Sequence, residues 1–211
     1  MRSAISIAIS FLLLLISCSA YAYVYFVEAE NFDPDKSEPV VGGAVWRVME
    51  DKEAFGGKYM QYNGPHKQAS TSLIYPLPPV NKANFQWMIW VRCIMPDGGS
   101  DSYFFYISND GGKTWGPQQA AHGGGQWQSW QWKGWTLNTP LKKGADNVLK
   151  ISERENAKAD VICIRDDNQT PTDEEYEKYL EEHKTQKIAV RQLDKLITVW
   201  GKIKSGRSHY R

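Results

Sequence analysis

Nine short runs of strand-forming residues, separated by clusters of Gly, Pro, Asn and Asp, follow one another from Tyr23 to about Asp167, and no amphipathic helix interrupts them. The runs are Tyr23–Glu30, Ala44–Met49, Lys58–Tyr62, Ser70–Tyr75, Asn84–Met95, Ser102–Ser108, Trp127–Trp132, Val148–Glu153 and Asp160–Arg165. Parallel strands need long crossovers, usually helical, and this spacing has no place for them. The pattern predicts an all-β fold, an antiparallel β-sandwich of jelly-roll type. In the run Asn84–Met95, Phe85, Trp87, Ile89 and Val91 alternate with Gln86, Met88, Trp90 and Arg92. Both sets are fairly apolar, so this strand is expected to be covered on both faces or central in the sandwich.

The ends read differently. Residues 1–22 have the form of an export signal: Arg2, an apolar stretch from Ala4 to Ser17, and an A-x-A cleavage site at Ala20-Tyr21-Ala22. The apolar stretch falls short of the ~20 residues a membrane span requires. Two processings fit. Cleavage after Ala22 releases a secreted chain, whereas Leu15-Ile16-Ser17-Cys18 resembles a bacterial lipobox and would anchor the chain through Cys18. Either way the protein is expected outside the cytoplasm.

Residues 23–168 form the expected sandwich, and 169–211 an appendage. There, Thr172 with Glu175 three residues on reads as a capping box for a helix from Asp173 to Lys184, with Tyr176, Tyr179 and Leu180 as its apolar stripe. From Ile188 a basic and apolar tail follows, expected to dock on the sandwich or on another protein.

A net charge of +1 argues against a nucleic-acid surface. Cys93 and Cys163 lie in strand-like runs, where a disulfide and two buried thiols are both open. Aromatic residues make up 13% of the chain, with nine tryptophans, more than a small core ordinarily uses.

The opening strand carries Glu28 and Glu30 on one face, two residues apart. Like charges so placed are either solvated on an edge strand or share a cation. Ca²⁺ takes six to eight oxygens, and Asp160 opens the last strand, which in jelly rolls often lies beside the first.

Taken in order, Val27-Glu28-Ala29-Glu30-Asn31-Phe32, Asp51–Met60, Trp87–Arg92, Asp101–Phe104, Trp130–Trp132, Ile151–Glu155 and Ala159–Ile164 resemble carbohydrate-binding module families 6 and 35, within the galactose-binding-like jelly rolls. The resemblance spans roughly Val24 to Pro171. It implies a structural calcium on Glu28, Glu30 and Asp160, and sugar binding in a cleft between loops. A pyranose stacks its apolar face on an aromatic ring while fixed polar groups take its hydroxyls. The candidates for that role are Trp115, Trp127, Trp135 and Tyr62, with Asn63, His122 and Asp166 as polar partners. Gln126 and Asn168 are further polar candidates, and Trp130 and Trp132 are assigned to the core.

Ser108-Asn109-Asp110-Gly111-Gly112-Lys113-Thr114-Trp115 fits the Asp-box of sialidases but occurs once, and is read as a hairpin turn. No HExxH, G-x-S-x-G elbow or phosphate loop occurs. Glu153 and Glu155, with Arg154 between them, read as a solvated strand edge. The expectation is a non-catalytic binding module. A structural or adhesive surface protein on the same fold is the alternative.

Overall fold

The structure, a computed structural model, describes residues 22–65, 69–82, 86–125 and 127–184. The signal segment up to Tyr21, with Cys18, lies outside the described residues, as do Gln126 and the tail from Ile188. Eleven strands are present among the described residues: β1 (Val24–Glu28), β2 (Val40–Val41), β3 (Ala44–Glu50), β4 (Lys58–Asn63), β5 (Leu73–Pro76), β6 (Met88–Met95), β7 (Ser102–Ser108), β8 (Gln119–His122), β9 (Trp127–Thr136), β10 (Val148–Glu153) and β11 (Lys158–Arg165). A helix, α1, follows over 173–184. No helix among the described residues is long and apolar enough to cross a membrane.

The strands form two sheets with antiparallel ladders throughout. One runs β2-β3-β4-β11-β6-β9, with β1 also on β11; the other runs β5-β10-β7-β8. The all-β antiparallel sandwich expected from the spacing is therefore the observed fold. Between the sheets lie Trp87, just before β6, Ile89, Val91, Cys93 and Met95 of β6, Phe105 and Ile107 of β7, Leu149 and Ile151 of β10, and Ile162 and Ile164 of β11. β6 is buried on both faces apart from the half-buried Trp90, as its double apolar pattern predicts.

A second cluster covers the outer face of the larger sheet, where Tyr176 of α1 packs with Phe26, Val161 and Cys163, flanked by Trp90, Trp132, Tyr179 and Leu180. This explains a misassignment. Trp130 and Trp132 are not in the inter-sheet core: Trp132 packs against the outer cluster, and Trp130 stands edge-on to Tyr59 at 5.3 Å. Both faces of β9 carry tryptophans, and α1 makes the outer one apolar as well. Cys93 faces the inner core and Cys163 the outer cluster, so the sheet separates them and both thiols are free. Burial pushes the Cys93 thiol up to about 12.

The cap of α1 follows the sequence in part. Glu175 N–H donates to Thr172 Oγ1 at 3.1 Å. The Glu175 carboxylate does not close the box; it accepts from Arg165 Nη1 at 2.9 Å instead.

Candidate functional site

The first and last strands do lie side by side, with Phe26 opposite Cys163 and Glu28 opposite Val161. Glu28 shares a strand face with Phe26, two residues earlier, and so lies on the outer side of the sheet under α1. Asp160 reaches the same side through a β-bulge. Ala159 pairs with Cys93 and Val161 with Arg92, leaving Asp160 as the extra residue. Ala159 faces the inner core and Val161 the outer cluster. A bulge re-aims a side chain in this way, and here it brings Asp160 beside Arg92.

The floor of the site is the turn from Asp51 to Gly57, closed by Ala54 N–H to Asp51 O at 3.1 Å and Gly57 N–H to Ala54 O at 3.0 Å. Phe55 N–H donates to Asp160 Oδ2 at 3.2 Å. Gly56 has φ +65°, and a Cβ there would stand 3.3 Å from Glu28 Oε1 and 4.0 Å from Glu30 Oε1. A side chain would be both strained and in the way. The three carboxylates named from the sequence thus converge on one turn.

Their partners differ. Glu28 accepts from Tyr176 Oη at 3.1 Å and from Asn31 Nδ2 at 2.8 Å. Asp160 Oδ2 takes Arg92 Nη1 at 2.5 Å, and the same guanidinium reaches Glu53 O at 3.2 Å and Asp173 Oδ2 at 2.9 Å. Glu30 Oε2 and Asp160 Oδ1 are buried without a hydrogen-bond partner. Burial, reinforced by Glu30 and opposed by Phe55 N–H and Arg92, pushes the Asp160 carboxyl up to about 7. Glu30 is raised too, first by burial and then by Glu28. No group of three His, Cys, Asp or Glu side chains among the described residues is set to hold a metal ion as placed. The two unpartnered oxygens are hard donors of the kind a calcium ion uses, and in chemistry the residues fit one.

The aromatic candidates fall in separate places. Trp115 lies in the loop after β7, at one end of the sandwich; Trp127 opens β9 opposite Met95, at the other. Trp115 is half-buried and walls a hollow of about 310 Å³ with Asn109, Asp110, Thr114, Thr139 and Lys142. Its ring is fixed by Lys150, whose Nζ lies 4.6 Å from the Trp115 ring centre and 4.0 Å from that of Tyr106. The Asp-box residues form the turn that was expected. Asp110 accepts from Ser108 Oγ at 2.7 Å, Thr114 N–H at 2.9 Å and Thr114 Oγ1 at 2.6 Å. The Thr114 hydroxyl and amide, with Ser108, hold the Asp110 carboxyl well below the ordinary range. Gly111 and Gly112 supply the positive φ, at +76° and +92°.

Trp127 and Trp135 are half-buried against the inner core. Trp127 lies over Gly125, with Lys133 Nζ 5.1 Å from its ring, and Trp135 Nε1 donates to His122 O at 3.0 Å. The His122 side chain is exposed, 3.3 Å from Arg154 Nη1 and 3.6 Å from Asp101. Tyr62 is completely buried and donates to Pro65 O at 2.6 Å; it and Asn63 line one hollow of about 230 Å³, apart from that of Trp115, together with Arg47, Met49, Gln61 and Asn156. Asp166 holds the start of β1, accepting from Tyr23 N–H at 2.8 Å and pairing with Lys82 at 2.6 Å. The seven proposed ligand contacts do not line one cleft.

Two acids were misread from the sequence as well. Glu153 and Glu155 are buried, not a solvated edge. Glu153 fixes the 69–72 segment by accepting from the main-chain and side-chain donors of Ser70 and Thr71. Glu155 fixes the turn before β7 through Asp101 N–H and Ser102 Oγ, and pairs with Arg154.

No protein-family model matches the chain, and no curated protein matches it. Similar solved structures include the C-terminal CBM6 of LamC, a marine laminarinase from Zobellia galactanivorans, at 18% identity over 67% of this chain and 98% of that one, with a TM-score of 0.46. A family 35 carbohydrate binding module from Clostridium thermocellum aligns at 17% identity over 66% of this chain and 97% of that one, with a TM-score of 0.44. For the CBM35 of Paenibacillus barcinonensis the identity is 17%, the coverage 66% and 97%, and the TM-score 0.45. These three structures are carbohydrate-binding modules of families 6 and 35, the families whose resemblance was read from the sequence. They assign no ligand to this chain.

Proposed function

We propose that this chain is an exported, non-catalytic carbohydrate-binding module, secreted or held at the cell surface, with a structural calcium on Glu28, Glu30 and Asp160. The observation that carries the sugar reading is the Trp115 hollow. One immobilised indole stands beside a carboxylate, an amide, two hydroxyls and an ammonium group, all within about 310 Å³. An aromatic wall takes the C–H face of a pyranose, and fixed polar groups replace the water lost from its hydroxyls. Asp110 is already held in place by Ser108 and Thr114, so it loses little freedom on accepting from a ligand.

Non-catalytic action is supported by the use of the acids. A glycosidase needs two free carboxyls about 5–10 Å apart, whereas Glu153 and Glu155 are consumed by loop donors. The structural or adhesive alternative draws on Trp127 and Trp135 packing against the core and on the complete burial of Tyr62.

Affinity electrophoresis against plant, algal and bacterial glycans, in calcium, separates the two. The sugar reading expects retardation by at least one glycan; folded protein retarded by none supports the structural alternative. For the ion, chelation is expected to lower the melting temperature of the wild type and to leave Glu30→Ala unaffected. A melt indifferent to EDTA removes the calcium.

A further inference from the structure

The helix α1 is attached to the sandwich through the residues that surround the carboxylates. Tyr176 is buried and its hydroxyl donates to Glu28. Asp173 grips Arg92 through two oxygens and also accepts from Trp132 Nε1 at 2.8 Å. Arg92 is in turn bonded to Asp160. The apolar floor of α1 belongs to the same two pieces of chain: Phe55 packs on Tyr176 at 4.7 Å, and Phe26 on Tyr176 and Tyr179 at 5.4 and 5.1 Å. Phe55 is hydrogen-bonded to Asp160 through its amide, and Phe26 sits two residues before Glu28 on β1.

We propose that α1 is a strap retained by the cation: loading of the Glu28–Glu30–Asp160 site and docking of α1 are two halves of one equilibrium, joined through Tyr176 and the Asp173–Arg92–Asp160 chain. This rests on the calcium reading above. Without an ion, the buried Glu30 and Asp160 oxygens lack partners and the carboxylates repel, which loosens β1 against the 51–57 turn. An ion draws these two pieces together and so firms the floor on which Phe26 and Phe55 hold α1. It also takes up charge on Asp160, leaving the guanidinium of Arg92 to Asp173 on the helix. Linkage makes the effect mutual: whatever the ion adds to docking of α1, docking adds to retention of the ion.

The test uses the full chain, calcium itself as the probe, and two readings: calcorimetric affinity and hydrogen exchange of the α1 amides. Calcium is expected to slow exchange across α1. Tyr176→Phe, which keeps the ring, and Asp173→Asn are each expected to weaken calcium binding by about fivefold or more, with a matching loss of the calcium-dependent protection. Lys178→Ala, on the exposed side of α1, is expected to change neither. A merely structural role for Tyr176 and Asp173 would lower protection equally with and without calcium and leave the affinity alone; that result overturns the strap. Calcium binding to the wild type with no change in α1 exchange overturns the strap and spares the ion. No calcium binding removes both.

Discussion

Replacing Glu153 by alanine is expected to destabilise the protein by about 3–5 kcal/mol, because it strips a buried acceptor from four donors at once. The side chain is fully buried, and both its oxygens are taken by Ser70 and Thr71. Thr71 is buried, so its two donors have no water to turn to when the carboxylate goes, while Ser70 is half-buried. For a domain of this size the loss corresponds to a fall in melting temperature of about 10 °C. Glu153→Gln is expected to recover part of it, since the amide keeps one acceptor oxygen but turns an NH₂ toward the other pair of donors. The pH dependence follows from the same contacts. Burial alone would raise the carboxyl, but the hydrogen bonds from Thr71 and Ser70 outweigh it and hold Glu153 below its ordinary value. A depressed folded pKa gives stability that is present above the unfolded value of about 4.3 and is lost as the pH falls through the folded one. The gap between wild type and Glu153→Gln should therefore narrow in acid. Denaturant melts across that range check it, and equal stabilities at neutral pH would contradict it.

The Arg92→Met variant is expected to cost a similar amount, about 3–5 kcal/mol, for the opposite reason: it removes the guanidinium bonded to the buried Asp160. Arg92 and Asp160 are both buried, and without the guanidinium the protein donor left to the Asp160 carboxylate among the described residues is Phe55 N–H, while Glu30 faces it. The loss should reach α1 as well, since Asp173 then has no guanidinium to hold. A double-mutant cycle with Asp160→Asn separates the direct pair from packing. If the two changes simply add, the pair is not what stabilises this face.

Much of this arrangement was legible in the residues. Turn clusters between short alternating runs gave the antiparallel sandwich, and the double apolar pattern of β6 gave a strand covered on both faces. Glu28 and Asp160 came together because first and last strands neighbour each other in such folds. What hid the rest was context that one-dimensional patterns do not carry. The bulge at Asp160 moves one residue out of register and has no Gly or Pro to announce it. The tryptophans of β9 alternate correctly, but period alone does not say which face meets the other sheet when α1 makes the outer face apolar too. Glu153 and Glu155 looked solvated because they are charged and flank an arginine. Their burial depends on donors that arrive from segments about 50 to 80 residues away. Tyr62 followed the same rule in reverse: a turn-side tyrosine whose hydroxyl is spent on Pro65.

The most direct measurement is a calorimetric titration of the best-retarded glycan into wild type, Trp115→Ala and Trp127→Ala, with melts run alongside. Loss of the Trp115 ring should weaken binding by roughly 1–3 kcal/mol, the scale of a buried aromatic contact, with little change in melting temperature, and Trp127→Ala should retain most of the affinity. Undiminished binding by a folded Trp115→Ala variant would contradict the account.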